Sequence, residues 1–248
     1  MKPKILILHA SGTNRDHEAA WAFELAGGQP EIVHINQMRD TDSAKKLADY
    51  QMLVVAGGFS YGDALGAGKR LALNLALDLE DDLARFVEQR KPILGICNGF
   101  QALVKAGLLP SLQTEQTTTL THNQRGHFEC RWVTLIHNPA SPCVFTHTLT
   151  EPIYCPVAHG EGRFVTNNNL PDTTIALRYE GDGYPANPNG SAGNIAGICN
   201  QSGTILGLMP HPEDHIVSWQ HPRWTRGEQG NLGLPLFEAG VKYAAEVG

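Results

Sequence analysis

Short apolar runs alternating with amphipathic stretches fill the first hundred residues. Ile5 to Leu8 follow Lys4 without a polar interruption, as expected of a strand buried on both faces. Glu31 to Ile35 reads as a second strand, and apolar runs recur at Met52 to Ala56 and Pro92 to Ile96. Between them lie helical patterns. One runs from a cap at Asn14 or Asp16 to about Ala26, one over Asp81 to Gln89, and one over Asn98 to Ala106, where Phe100, Leu103 and Val104 share a stripe. This alternation predicts an α/β fold, a parallel sheet with helices on both faces. Ligands in such sheets sit beyond the C-terminal strand ends, and the loop Gly57 to Asp63 and Cys97 both fall there.

From Thr114 the texture changes. Thr117 to Thr121 and Phe128 to Ile136 alternate polar with apolar residues, and Asn123-Gln-Arg-Gly126 between them predicts a hairpin of antiparallel strands appended to the sheet. Ile195 to Cys199 and Ile205 to Leu208 predict a second hairpin around Gln201-Ser-Gly203, and Leu234 to Glu246 a last helix. Ala158 to Arg163 and Asn187 to Ser191 read as decorated loops. No linker-like composition, repeat or low-complexity tract divides the chain, so residues 1–248 are expected to form a single domain.

Composition narrows the partners. A net charge of −6 and the lack of a basic run argue against nucleic acid and anionic membrane. The five cysteines are odd in number and scattered, with no Cys-x-x-Cys pair, which points to a reducing compartment rather than a disulfide frame or zinc knuckle. The apolar start is too short for a signal peptide, and no run approaches the ~18 residues of a membrane span. A cytoplasmic protein is expected.

The candidate chemistry centres on Cys97. Gly95 and Gly99 flank it as Gly-x-Cys-x-Gly at a strand-to-helix junction, the nucleophile-elbow pattern with sulfur in place of oxygen. The glycines let backbone approach backbone at the sharp turn, and a helix N-terminus favours negative charge on a thiol. A lone cysteine is more commonly an inert buried residue, so a base is required. Met209-Pro-His-Pro-Glu-Asp214 supplies one directly after the Ile205 to Leu208 strand. In an extended chain stiffened by proline, His211 and Glu213 point the same way, giving an imidazole with a carboxylate to orient it. Two competing motifs fail on spacing. Pro212 interrupts the zinc-helix reading of His211 to His215, and Arg70 stands where a phosphate loop needs Ser or Thr.

Gly95-Ile-Cys-Asn-Gly-Phe-Gln101 and His211-Pro-Glu213 together resemble the two motifs of the class I glutamine amidotransferases. Within that class, Gly12 to Asp16, Gly57 to Asp63, His159 to Arg163 and Asn187 to Ser191 look like the glutaminase subunits of phosphoribosylformylglycinamidine synthase. The resemblance runs from Ile5 to about Glu213. It implies a flavodoxin-like glutamine amidotransferase fold and a Cys97–His211–Glu213 triad acting on L-glutamine. It also implies an oxyanion hole from the backbone N–H groups of Gly58 and Asn98, and Gln101 holding the substrate's α-groups. The implied partner is a synthase subunit that uses ATP and Mg on formylglycinamide ribonucleotide in purine biosynthesis, with a small accessory subunit as a further member; no cofactor is implied for this chain. Phe59 and Tyr61 are aromatics suited to that partner's surface. Three features depart from the pattern. Ser60 to Gly68 is closer to the glutaminase domain of single-chain synthases, Asp214 replaces a basic residue, and His215 to Arg226 has no family role. The competing reading is a free Cys–His hydrolase on the same fold, a γ-glutamyl hydrolase or cysteine peptidase.

Overall fold

The computed structural model describes residues 2–39, 45–111, 116–167 and 170–247; Thr114, where the texture changes, lies outside them. Its centre is a nine-stranded sheet. In chain order the strands are β1 (Lys4–His9), β2 (Gln29–His34), β3 (Met52–Val55), β4 (Ile93–Ile96), β5 (Thr118–Thr121), β6 (Glu129–His137), β7 (Ile153–His159), β8 (Arg163–Thr166), β9 (Ile175–Tyr179), β10 (Ile195–Cys199) and β11 (Ile205–Leu208). The helices are α1 (Asp16–Leu25), α2 (Ile35–Arg39), α3 (Lys69–Leu73), α4 (Glu80–Glu88), α5 (Asn98–Lys105) and α6 (Leu234–Val247).

The large sheet runs β2-β1-β3-β4-β11-β10-β9-β6-β7, while β5 and β8 form a separate ribbon. The half from β2 to β11 is parallel and the half from β11 to β7 antiparallel. Every residue of β3, β4, β10 and β11 is buried, which is why these segments read as unbroken apolar runs. Helices cover both faces. Met52 reaches Gly240 of α6, whereas Val55, of opposite parity on the same strand, meets Gly99 of α5.

Two features place the site. Ile93↔Ile205 through Ile96↔Leu208 pair β4 with β11 in parallel register, so the chain leaves both strands at the same end, one into Cys97 and the other toward His211. Helix α5 then lies close enough to β3 that a Cβ on Gly99 would stand 1.8 Å from the Val55 carbonyl oxygen.

Away from the catalytic motifs, the structure differs from expectation in several places. Thr117 to Thr121 and Phe128 to Ile136 do not pair with each other; β5 takes β8 as its partner and β6 takes β7 and β9. The turn residues Asn123 to Gly126 instead bind distant loops, with Asn123 N–H donating to the Gly160 carbonyl and Gln124 N–H to that of Asn189. Part of the presumed loop Ala158 to Arg163 is strand, since β7 ends at His159 and β8 begins at Arg163. Neither Asn14 nor Asp16 caps α1. Arg15 holds the cap position without a side-chain capping bond, and Asp16 instead meets His9 Nδ1 at 2.7 Å.

Gly99→Ala should therefore be among the most damaging single substitutions in the chain. Relief of the Val55 contact requires α5 to lift off the sheet, and a loss of about 3 kcal/mol or more is expected. Urea denaturation of the variant checks this, with Gly183→Ala, where a Cβ meets nothing within 4 Å, as a milder control strained only by its positive φ.

Candidate active site

Cys97 occupies the junction of β4 and α5 with φ 50° and ψ −105°, a conformation costly for a residue with a Cβ. It is held from both sides: its N–H donates to the Leu208 carbonyl at 2.8 Å, and its carbonyl accepts from Gln101 N–H at 3.1 Å. The thiol is thereby turned out of the sheet and lies 3.9 Å from the Ala158 carbonyl. Glycine at position 57 leaves room for the partner imidazole, because a Cβ there would come within 2.9 Å of His211 Cε1 and 3.5 Å of Cys97 Cβ.

His211 and Glu213 meet, but not through an extended chain. His211 has φ −109° and ψ 80°, as a residue before proline must avoid the helical region, and Pro212–Asp214 then forms one turn of 3-10 helix. That turn curls Glu213 Oε1 back to His211 Nδ1 at 2.7 Å. The His211 N–H is anchored on the Pro156 carbonyl of β7 at 2.8 Å. With Nδ1–H given to the carboxylate, Nε2 is the nitrogen left for the thiol. Burial by itself opposes a charge on His211, yet Glu213, hydrogen-bonded to Nδ1, and the nearby Cys97 raise its pKa well above the ordinary histidine range. Glu213 is fully buried, and its second oxygen has no partner among the described residues.

The expected oxyanion donors border the same space. The Gly57 carbonyl accepts from Asn14 N–H at 3.4 Å and Arg15 N–H at 3.2 Å, so across a trans peptide the Gly58 N–H is turned away from them. Gly12 makes this contact feasible: at φ +95°, a Cβ on it would overlap the Phe59 carbonyl oxygen at 2.1 Å. Asn98 opens α5, leaving its N–H outside the intrahelical ladder. Its side chain ties three walls together. Oδ1 accepts from Ser60 N–H at 3.1 Å and Ser60 Oγ at 2.6 Å, and Nδ2 donates to Asp63 at 3.1 Å and Gln101 Oε1 at 3.0 Å. Gln101 in turn donates to the Glu161 carbonyl at 2.7 Å, so each end of its amide has a partner within the protein.

A cavity of about 260 Å³ opens over Cys97 and includes Gly58 and Gln101 in its wall. Asp63, His122, Phe128, His159 and Glu161 complete it, and none of these stood out individually in the sequence. Asp63 comes from the loop after β3, and the others arrive from either side of the Asn123 turn and from the end of β7 and its connection to β8, whose placement depends on long-range pairing; the density of polar residues in His159 to Arg163 is the one local signal. A larger hollow of about 520 Å³ beside α4 and the end of α5 contains no cysteine or histidine. Phe59 is 48% exposed at the cavity's rim. Tyr61 is instead partly buried, its hydroxyl donating to Asn74 at 2.8 Å and its ring covered by Arg70. Among the described residues no group of three or more His, Cys, Asp or Glu is placed to hold a metal ion, and no helix is long and apolar enough to cross a membrane.

A family model for the CobB/CobQ-like glutamine amidotransferase domain matches residues 2–244. The chain belongs to this family of glutamine amidotransferases. Among the family's members, a phosphoribosylformylglycinamidine synthase subunit PurQ of Treponema denticola is 46% identical over 98% of this chain and 99% of its own length. The same-named subunit of Dehalococcoides mccartyi is 47% identical over 99% of both chains. A chain in the structure of PurLQS from Thermotoga maritima superposes with a TM-score of 0.78 at 35% identity, covering 98% of this chain and 99% of that one.

Two of the three departures from the expected pattern have visible surroundings. Asp214 lies beside Glu213; burial, with Glu213 adding to it, pushes its carboxyl up to about 6, and Arg15 stands 3.9 Å away. Residues beyond it cover the β7 edge. Tyr154 N–H donates to the Asn231 carbonyl at 2.9 Å, and the rings of Trp132, Tyr154, His215 and His221 cluster over the strand.

Glu213→Gln should lower the pH at which His211 gives up its proton, since Glu213 is one of the two groups holding the imidazolium. The sign for stability follows. With a folded pKa above the unfolded one, the pair's contribution is complete below the ordinary histidine range and is lost as pH rises through the raised value. NMR titration of His211 in both proteins checks the shift. Turnover should fall by less than the about 10⁴-fold seen when a serine triad loses its carboxylate, because a thiol needs less activation.

Proposed function

We infer that this chain is the glutaminase subunit of a phosphoribosylformylglycinamidine synthase, a cytoplasmic enzyme complex of purine biosynthesis. The observation that carries the reading is a thiol in a cavity wall, backed by an imidazole paired with a buried carboxylate, in a chain alike over nearly its whole length to PurQ subunits.

The chemistry proceeds in two halves. The Cys97 thiolate attacks the side-chain carbonyl carbon of L-glutamine, and the carbonyl oxygen becomes an oxyanion between the N–H groups of Gly58 and Asn98. One such donor lowers the barrier by about 2.7–4 kcal/mol. His211, as imidazolium, gives its proton to the departing nitrogen, so the C–N bond breaks, ammonia leaves and a glutamyl thioester remains. His211, now neutral, takes a proton from water; the hydroxide attacks the thioester, and glutamate departs as the Cys97 thiolate is restored with His211 again protonated. Glu213 keeps Nδ1–H directed away from the thiol through both halves. Ammonia passes to a synthase subunit, which uses ATP and Mg to convert formylglycinamide ribonucleotide to formylglycinamidine ribonucleotide. Phe59 at the cavity rim is the aromatic best placed for that partner.

Cys97→Ala should abolish glutamine-dependent synthesis by the assembled complex while ammonium-dependent synthesis survives; loss of both would mean the complex no longer forms. The purified chain should release ammonia slowly from glutamine and faster with a synthase partner loaded with ATP and ribonucleotide. Equal rates in the two conditions would remove the coupling. Cleavage of peptides or folate-like conjugates in place of glutamine would favour a free hydrolase.

A further inference from the structure

Among the cavity's residues, His159 is not accounted for by the triad or the oxyanion donors. It ends β7, is 3% exposed, and belongs to the wall that Cys97 and Gln101 share. Its ring is fixed from one side by Asn189. The Oδ1 of Asn189 accepts from Ser191 N–H at 3.1 Å and from the Ser191 hydroxyl at 2.7 Å. A backbone N–H cannot reverse its role, so the amide has one orientation. Its Nδ2 therefore faces outward, donating to the Tyr179 hydroxyl at 3.0 Å and meeting His159 Nε2 at 3.1 Å.

An N–H directed at a ring nitrogen requires a lone pair there, so Nε2 is the acceptor and the proton sits on Nδ1. Protonation of the ring would set N–H against N–H. Burial, with the nearby charge of His211 in the same direction, pushes the His159 pKa down to about 3, so the ring stays neutral at working pH. Glycine at 162 lets the backbone close over this flank, since a Cβ there would lie 2.0 Å from His159 Cδ2 and 2.1 Å from Nε2. The other side of the ring carries a buried Nδ1–H with no acceptor among the described residues. A buried donor kept in one tautomer by three other residues, yet left unpaired beside a cavity, is a donor awaiting an acceptor.

We propose that His159 is a substrate-positioning residue, its neutral Nδ1–H donating to an oxygen of the glutamine bound over Cys97. The proposal rests on the glutaminase reading above. It gives the Asn187 to Ser191 stretch a purpose: it sets the tautomer of a binding group rather than touching substrate. The acceptor is the α-carboxylate or the side-chain carbonyl, and the two are separable by experiment.

The test uses a chloroketone analogue of glutamine, which alkylates Cys97 with a half-saturating concentration and a limiting rate that report binding and chemistry separately. Wild-type chain that is alkylated by iodoacetamide at Cys97 but ignores the analogue would sink the glutaminase reading itself. Given saturable labelling, His159→Leu should raise the half-saturating concentration about 10- to 100-fold with the limiting rate changed only a few-fold. His159→Asn, whose amide can place an N–H near the Nδ1 position, should recover part of the loss. The same series with an analogue lacking the α-carboxylate identifies the acceptor. A loss confined to the complete analogue assigns the carboxylate, and an equal loss with both assigns the carbonyl. An unchanged half-saturating concentration in His159→Leu overturns the proposal. Nitrogen-15 NMR of the wild-type ring tests it without substitution. A single Nδ1–H tautomer that does not titrate between about pH 5 and 9 and shifts on analogue binding is expected; an Nε2–H tautomer, or no shift, overturns it.

Discussion

A carboxylate buried as completely as Glu213 must be neutralised where it stands, and His211 does so. That requirement organises the catalytic end of the molecule. Glu213 takes Nδ1 of the ring, which leaves Nε2 as the nitrogen free to face Cys97. Removing one member leaves another with an unmet charge, so the three behave as a unit rather than as three contributions. Because both strands that deliver them, β4 and β11, are buried along their length, the pair is held by the most rigid part of the sheet.

Around this unit the backbone is packed as tightly as atoms permit. Glycine at 57 admits the imidazole, glycine at 99 admits the helix, and glycine at 12 admits the loop that fixes the Gly57 carbonyl. The side-chain amides of Asn98 and Gln101 then bind the cavity's walls to one another. These contacts hold the walls around Cys97 in a fixed arrangement.

Much of this was legible in the chain itself, for reasons that differ from residue to residue. The parallel strands announced themselves because burial on two faces demands unbroken apolar runs. Cys97 and His211-Pro-Glu213 were readable because elbow and turn are local devices with local requirements. The conformation linking His211 to Glu213 was misjudged as extended, since proline at the first helical position permits a 3-10 turn equally well. Strands β7, β8 and β9 escaped notice, β7 because Pro156 and polar residues break its pattern. The partner of β5 lies some forty residues downstream of it, beyond the reach of any hairpin signal. His159 could not have been singled out by any local rule, since its tautomer is decided by Asn189, Ser191 and Tyr179 from other parts of the chain.

The pairing of β4 with β11 also bears on how the chain reaches its native state. These neighbours are separated by roughly a hundred residues of intervening chain, which includes all of the antiparallel half. Closing that loop is slow and entropically costly, and it must precede any meeting of Cys97 with His211. In a nascent or partly folded chain Cys97 is therefore apart from His211, and on the glutaminase reading its selective reactivity emerges only as the sheet's centre closes. The protein thus contains its own reporter of folding: the rate at which Cys97 becomes selectively alkylated after dilution from denaturant measures the last long-range step directly.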